Sequence, residues 1–219
     1  MGRPLVSHDV HFIDGDIAID GELNDEAWAN AEAVDFQFTW GVEGNREATQ
    51  AKLLWDDQYL YVSFLCQDGY IWAEHTERDS PVYRDDCVEV FTSPNPEQLE
   101  KYFNIEMNVN AASLDAFHPE GRGSKAEWNP DIQVATTYQG TKNNDADLDD
   151  GWMLEVAIPF AAFEGVAVNI PPKDGDEWRL NLNRLGGKTD FNRSQWSAGD
   201  PEQPGFHFPE YFGRIFFRK

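Results

Sequence analysis

The chain has 219 residues, 41% of them apolar, with 15 Phe, 8 Trp and 7 Tyr; that is enough to bury a substantial core, and it excludes global disorder. It carries 17 Lys and Arg against 40 Asp and Glu, a formal charge of −23, so it repels phosphate backbones and anionic membrane surfaces, and nucleic acid is excluded as a partner. No run approaches the ~20 apolar residues of a membrane-spanning helix, and the opening MGRPLVSHDVHF has no basic segment followed by an apolar stretch, so neither membrane insertion nor a leader peptide is expected in this chain.

In chain order, residues 16–20 read as a first strand. Asn24–Ala31 reads as a short helix with Asn24 or Asp25 at its N-cap and Trp28 packing it down. Residues 51–55 form the next strand. Leu60, Val62, Phe64 and Cys66 then alternate with Tyr61, Ser63 and Leu65. Residues 87–92 follow, and after them Phe103, Ile105, Met107 and Val109 alternate with Asn104, Glu106, Asn108 and Asn110. A strand at 132–138 precedes Trp152, Leu154, Val156 and Ile158, again at every second position. Pro159–Phe163 is entered through its proline and reads as one helical turn. Trp178, Leu180 and Leu182 alternate with Arg179, Asn181 and Asn183, and residues 212–218 close the series. Period-two alternation puts one face of each strand in a core. Short strands separated by Gly- and Pro-rich turns predict an all-β fold, an antiparallel β-sandwich of two packed sheets with one or two short helices. No shift in composition divides the chain, so residues 1–219 read as one domain, with 1–12 as an N-terminal extension.

Cys66 and Cys87 are the only cysteines. They read as two small buried thiols, with a disulfide between neighbouring strands as the alternative.

The polar faces of the strands are unusual. Asn104, Glu106 and Asn108 share one register, Asn181 and Asn183 another, and Glu89 stands between Val88 and Val90. Amides donate and accept, and a carboxylate accepts twice, which suits the paired hydroxyls of a sugar; the plain alternative is a solvated sheet face. Trp55, Trp152 and Trp178 fall on apolar registers and belong to the core. Tyr83, Trp72, Trp128 and Trp196 lie in polar loop segments, where a ring can stack on sugar C–H faces or cover a small cluster under its loop.

Several stretches together resemble the family 9 carbohydrate-binding modules: IDGELNDEAW at 19–28, LLWDDQYLYVSFLCQD at 53–68, VYRDDCVEVFTSP at 82–94, YFNIEMNVNAASLDA at 102–116, GWMLEVAIPF at 151–160, WRLNLNRL at 178–185, QWS at 195–197 and PEYFGRIFF at 209–217. The resemblance runs over roughly residues 13–217. It implies a β-sandwich with a sugar slot between two facing rings, which by motif are Tyr83 and Trp196. It also implies a polar set of Glu89, Glu106 and Asn108, with Asn183 from the neighbouring register and Arg84 beside the first ring. Two departures stand out. Tyr83 replaces a larger ring, and Glu106 stands where sugar-stacking members have a basic residue, a change that disfavours uronic acids and sulfates.

The resemblance further implies a structural calcium ion near the loop 68–79, with Asp68 and Asp79 as its ligands, and no organic cofactor. The acidic run from Asn143 to Asp150 reads instead as a solvated loop. The function expected is non-catalytic binding of a neutral oligosaccharide or a polysaccharide end, outside the cell or in the periplasm, as part of a glycoside hydrolase or alongside one. Two alternatives are a glycoside-active enzyme using Glu89 and Glu106, and a haem-binding domain of the same fold with His207 as the axial ligand.

Overall fold

The computed structural model describes residues 4–40, 46–188 and 191–219. Twelve strands order the chain: β1 (Ser7–Phe12), β2 (Ala33–Asp35), β3 (Thr49–Trp55), β4 (Tyr59–Gln67), β5 (Cys87–Ser93), β6 (Tyr102–Asn108), β7 (Ser113–His118), β8 (Gln133–Gln139), β9 (Gly151–Pro159), β10 (Glu177–Leu185), β11 (Arg193–Gln195) and β12 (Gly213–Arg218). One α-helix, α1 (Glu26–Asn30), follows Asp25 at its N-cap position.

Hydrogen bonding runs continuously in the order β7-β6-β5-β10-β12-β1-β3-β4-β9-β8, with β11 beside β10 and β2 beside β3. The sheet curls on itself, so β7-β6-β5-β10-β12 faces β3-β4-β9-β8 as the two layers of a sandwich. The alternating apolar positions meet between the layers. Val88, Val90, Ile105, Met107, Leu180 and Leu182 pack on Leu53, Val62, Phe64, Leu154 and Val156. The Pro159–Phe163 segment supplies the predicted turn at Phe160–Phe163. Phe160 seals one end of the core, with its ring 6.4 Å from Trp55 and 5.7 Å from Trp178. Trp55, Trp152 and Trp178 are core residues, as their registers predict.

The join between the layers is parallel. β1 pairs parallel with β12 from Ser7 to His11 and parallel with β3 at His11 and Phe12. The stretch read as an N-terminal extension therefore contains a strand at the centre of the sheet order.

Residues 16–20 do not form a strand. They cross the outer face of β4 and β9 as irregular chain, anchored by Ile17, which packs with Trp28, Leu54 and Tyr61. Their backbone donors go to a side chain instead of a ladder. Glu155 Oε2 accepts the Asp20 and Gly21 amides at 3.0 and 2.7 Å, and Glu155 Oε1 accepts Trp28 Nε1 at 2.7 Å. One buried carboxylate thus ties both this segment and the helix to β9, which answers the demand that buried amides be satisfied.

Cys66 and Cys87 are both free and buried. Burial pushes the Cys66 thiol up to about 12 and raises that of Cys87, so both are inert small hydrophobes.

Candidate functional site

The site sits on the outer face of the β5, β6 and β10 layer. Residues that alternate with the core positions point outward there, and cross-strand register sets them in a row. Gln195 on β11 pairs with Asn183 on β10, Asn183 with Glu89 on β5, Glu89 with Glu106 on β6, and Glu106 with Leu114 on β7. Directly opposed side chains in an antiparallel pair stand about 5 Å apart, so the row is a continuous strip of amides and acids across four strands, closed by Leu114 on the fifth.

Apolar groups frame the strip at both ends of the strands. Phe91, Tyr102, Phe206, Phe212 and Trp40 pack at one end, and Val82, Cys87, Leu185 and Ala112 belong to the same outer cluster. The strip itself is buried under these loops: Glu89 is 2% exposed and Glu106 7%.

Hydrogen bonds fix the side chains. Asn183 Nδ2 donates to Glu89 Oε2 at 3.1 Å, and Asn104 Nδ2 donates to Glu106 Oε1 at 3.0 Å. Asn104 Oδ1 lies 2.8 Å from His118 Nε2. Since the Asn104 amide nitrogen is already donating, His118 is the donor to that oxygen and carries its proton on Nε2. Asn181 Nδ2 donates to Gln195 Oε1 and to the Ser197 carbonyl, at 3.2 and 3.0 Å.

Four buried polar atoms on this face have no partner: Glu106 Oε2, Asn183 Oδ1, Arg193 Nε and, on the neighbouring β7, His118 Nδ1. Buried polar atoms are ordinarily bonded, so these have hydrogen-bonding capacity to offer a ligand or water. Burial, and then the facing Glu106, raise the Glu89 carboxyl well above its ordinary range, against the opposing influence of Asn183 and Arg193. Burial lifts Glu106 to about 7, opposed by the charge of Lys125 and the bond from Asn104. Neither carboxylate has a cation within ion-pair distance among the described residues.

The structure sorts the residues expected from the sequence. Glu89, Glu106 and Asn183 come together in the row. Tyr83 is 45% exposed in the turn Val82–Arg84, and Arg84 lies over its ring, 5.9 Å from the centroid. Trp196 does not face Tyr83. It is 5% exposed and belongs to the inner core, with His8 edge-on at 6.3 Å and its ring packed on the Gly213 backbone. The alternation explains this: Gln195 takes the outward position, so the next residue turns inward, and the expected slot between Tyr83 and Trp196 is not formed. Asn108 is likewise corrected. Its Nδ2 donates to Asp85 Oδ2 and the His75 carbonyl, while its Oδ1 accepts the amides of Asn110 and Ala112. These bonds make Asn108 a strut for the loop 73–85, with nothing left to offer a ligand.

Two residues that the sequence reading passed over stand near the row. Phe191 is 48% exposed, and the Arg193 guanidinium lies 5.0 Å from its ring centroid. Arg193 pairs with Leu185, which shares the outer cluster with Val82, the residue before Tyr83. The pattern F-x-R before a strand on the outward register was the available signal.

The residues at the expected calcium site do not fit a metal. Asp68 Oδ2 accepts Trp152 Nε1 at 3.0 Å and Arg184 Nη2 at 2.9 Å, and its Oδ1 accepts the Tyr70 amide at 3.1 Å. Asp79 is exposed elsewhere, with its amide donating to the Ser113 carbonyl at 2.7 Å. Among the described residues, no group of three or more His, Cys, Asp and Glu side chains is arranged to hold a metal ion. Arg184 is fully buried on the inner face of β10 and also reaches Thr49 Oγ1, the Gln67 carbonyl and Glu47, so a guanidinium occupies the centre of this acidic pocket. The acidic run is also only partly solvated. Asp149 is buried and accepts the amides of Ile71 and Thr141 at 2.9 and 2.6 Å.

His207 does not fit an axial haem ligand. Its Nδ1 is 2.9 Å from the Tyr102 hydroxyl, and its ring packs against Phe91 and His118. Burial holds its imidazole down at about 4. Glu89 and Glu106 also do not fit a glycosidase pair. They stand side by side on one surface, whereas glycoside cleavage needs carboxylates flanking the scissile bond.

Solved structures with this fold include a Bacteroides uniformis protein provisionally assigned as carbohydrate-binding, with a TM-score of 0.80 and 18% identity, covering 98% of this chain and 100% of that one. A family 9 carbohydrate-binding module of Caldicellulosiruptor kristjanssonii, in complex with cellotriose, has a TM-score of 0.68 and 19% identity over 97% and 93% of the two chains. Endo-1,4-beta-xylanase A of Thermoanaerobacterium saccharolyticum is 28% identical over 150 residues, which is 68% of this chain and 11% of the xylanase. Exoglucanase XynX of Acetivibrio thermocellus is 27% identical over 150 residues, and the match spans 12% of its length. The chain therefore corresponds to a small part of these relatives. The sequence profile of the carbohydrate family 9 binding domain-like family matches residues 19–219, and the chain belongs to that family.

Proposed function

We propose that this carbohydrate-binding module holds a neutral oligosaccharide or polysaccharide end against the outer strip of β11, β10, β5 and β6. The observation that carries the reading is the set of unpartnered buried polar atoms, Glu106 Oε2, Asn183 Oδ1 and Arg193 Nε, gathered on one sheet face. Sugar hydroxyls donate and accept, so they suit all three. Tyr83 and Phe191 supply exposed rings for stacking on sugar C–H faces. The cellotriose complex of a structural relative favours a β-glucan, and the xylanase relatives favour service to a glycoside hydrolase acting on plant polysaccharide outside the cell.

Calorimetric titration with cello- and xylo-oligosaccharides tests the reading. Saturable binding that weakens about tenfold in Glu89→Gln supports it, since the amide can no longer accept at both positions and leaves a buried hydrogen bond unmade, at a cost of ~1–3 kcal/mol. Binding of neither series, or binding indifferent to Glu89→Gln and Tyr83→Ala together, overturns it.

A further inference from the structure

We infer that the sugar unit seated on the Glu89–Glu106 pair is an amino sugar whose ammonium group is free, within an otherwise uncharged chain. This rests on the carbohydrate-binding reading and narrows it at one position.

Glu89 and Glu106 are Cα partners on adjacent strands, both point outward, and both are buried. Like charges directly opposed in a sheet are destabilising, and buried charges are ordinarily paired. Here no basic side chain is within ion-pair distance among the described residues. Arg193 and Lys125 act on the pair only from further away. The fold keeps two acids where an uncharged pair would be more stable, so the site is built to receive a cation.

The shape of the acceptor set narrows the cation. Asn183, Glu89 and Glu106 are consecutive in the row, and the first and last each present an unpartnered buried oxygen, Asn183 Oδ1 and Glu106 Oε2. The Glu89 carboxylate lies between them and uses Oε2 for Asn183 Nδ2. An ammonium has three donors and no acceptor, so it can bond the free Glu106 Oε2 and the Glu89 carboxylate together and leave a donor for a further acceptor of the row. A guanidinium is planar and forked, and suits a single carboxylate better. A hard divalent cation wants six or more oxygens, more than this row provides.

Accepting an ammonium requires both acids to be ionised. Both acids hold their protons above the ordinary carboxylate range, Glu106 up to about 7, so amino-sugar binding releases protons from the pair. Affinity then rises as the pH climbs through about 7, until the sugar amine itself loses its proton. The groups facing the pair are Asn183 from β10, Asn104 from β6, Cys87 from β5, His118 from β7 through Asn104, and the more distant Arg193 and Lys125.

The test is a calorimetric titration of the purified protein with three trimers of equal length: the glucosamine trimer, its N-acetylated counterpart and cellotriose. Calcium chloride alone forms a fourth arm. The expected result is an amino trimer bound about tenfold or more tightly than either counterpart, from one charge-assisted contact set, with proton release that disappears at higher pH. In Glu106→Gln and Glu89→Gln the ratio between amino and neutral trimers falls toward one. The wild-type ratio decides the matter even if a variant fails to fold. Neutral trimers that bind as well as the amino trimer overturn this inference and leave the parent reading standing. Failure of all three overturns both. Calcium binding that perturbs the Glu89–Glu106 pair overturns the amino-sugar assignment in favour of a metal.

Discussion

Gln195 and Trp196 are neighbours in the chain and stand on opposite sides of the same sheet. Gln195 pairs with Asn183 on the polar strip, and Trp196 fills the core beside Gly213 and His8. Replacing Trp196 with Ala therefore removes a buried ring and is expected to cost ~3–5 kcal/mol of stability. Urea unfolding measures this. Tyr83→Ala and Phe191→Ala, by contrast, should leave the midpoint nearly unchanged while weakening sugar binding. A Trp196→Ala protein of wild-type stability contradicts the placement of that ring.

The carboxylate pair makes stability depend on pH in a defined direction. Both acids titrate above their ordinary range when folded. Between 4.5, the ordinary value, and about 7, the folded state keeps a proton on Glu106 that the unfolded chain has released. The stabilisation is fully present below the lower value and is lost as pH rises through the upper one. Its size is on the order of 3 kcal/mol. Asp115, lifted by burial to about 6, adds in the same direction. Glu106→Gln keeps a neutral side chain at every pH, so its melting temperature should exceed wild type at pH 8 and converge with it at pH 5. Thermal melts at the two values check this.

Arg184 is the counter-charge for Asp68 and Glu47 in the interior. Arg184→Ala strands these acids and should cost ~3–5 kcal/mol. Its guanidinium also bonds Thr49 and the Gln67 carbonyl, so Arg184→Lys should recover only part of the loss. Equilibrium unfolding of the two variants, side by side, separates the charge from the fork geometry.

Because every Asp68 oxygen is taken by Trp152, Arg184 or Tyr70, no metal is needed to neutralise that site. Chelator should leave the melting temperature unchanged. A drop of several degrees on adding EDTA, restored by calcium, would show that another part of the loop holds an ion.

Gly151 opens β9 with φ +140, and a Cβ there would drive into the Cys66 carbonyl. Gly151→Ala thus combines backbone strain with a collision against the neighbouring strand, and is expected to destabilise by more than about 1 kcal/mol. A denaturation curve within error of wild type would refute this.

Much of the framework was legible in the alternation. Phe103, Ile105 and Met107 went inward and Asn104 and Glu106 outward, as period two requires, because β6 is a regular central strand with one face in the core. Glu89 and Asn183 followed for the same reason. The failures share a cause. Trp196 sits just past a three-residue strand, too short for its phase to show, and a polar Gly/Pro-rich neighbourhood suggested exposure. Residues 16–20 have the pattern of a strand, yet their amides found Glu155 on a distant strand, a partner no local pattern reveals. Asn108 lay on the right register, but the loop carrying Asp85 and His75 folded over it. β1 was missed because SHDVHF has few apolar residues, and its place is decided by pairing with the far end of the chain.

That last pairing shapes how the molecule is made. In the strand order the two layers join at β12 and β1, and β12 is formed by Gly213–Arg218. During synthesis the strands of both layers emerge from the ribosome well before the piece that stitches them together. Closure is a late, non-local event of the kind that slows folding. Until it happens, β1 and the Glu177–Leu180 part of β10 each present an open edge, and nascent chains at high local density would meet one another there.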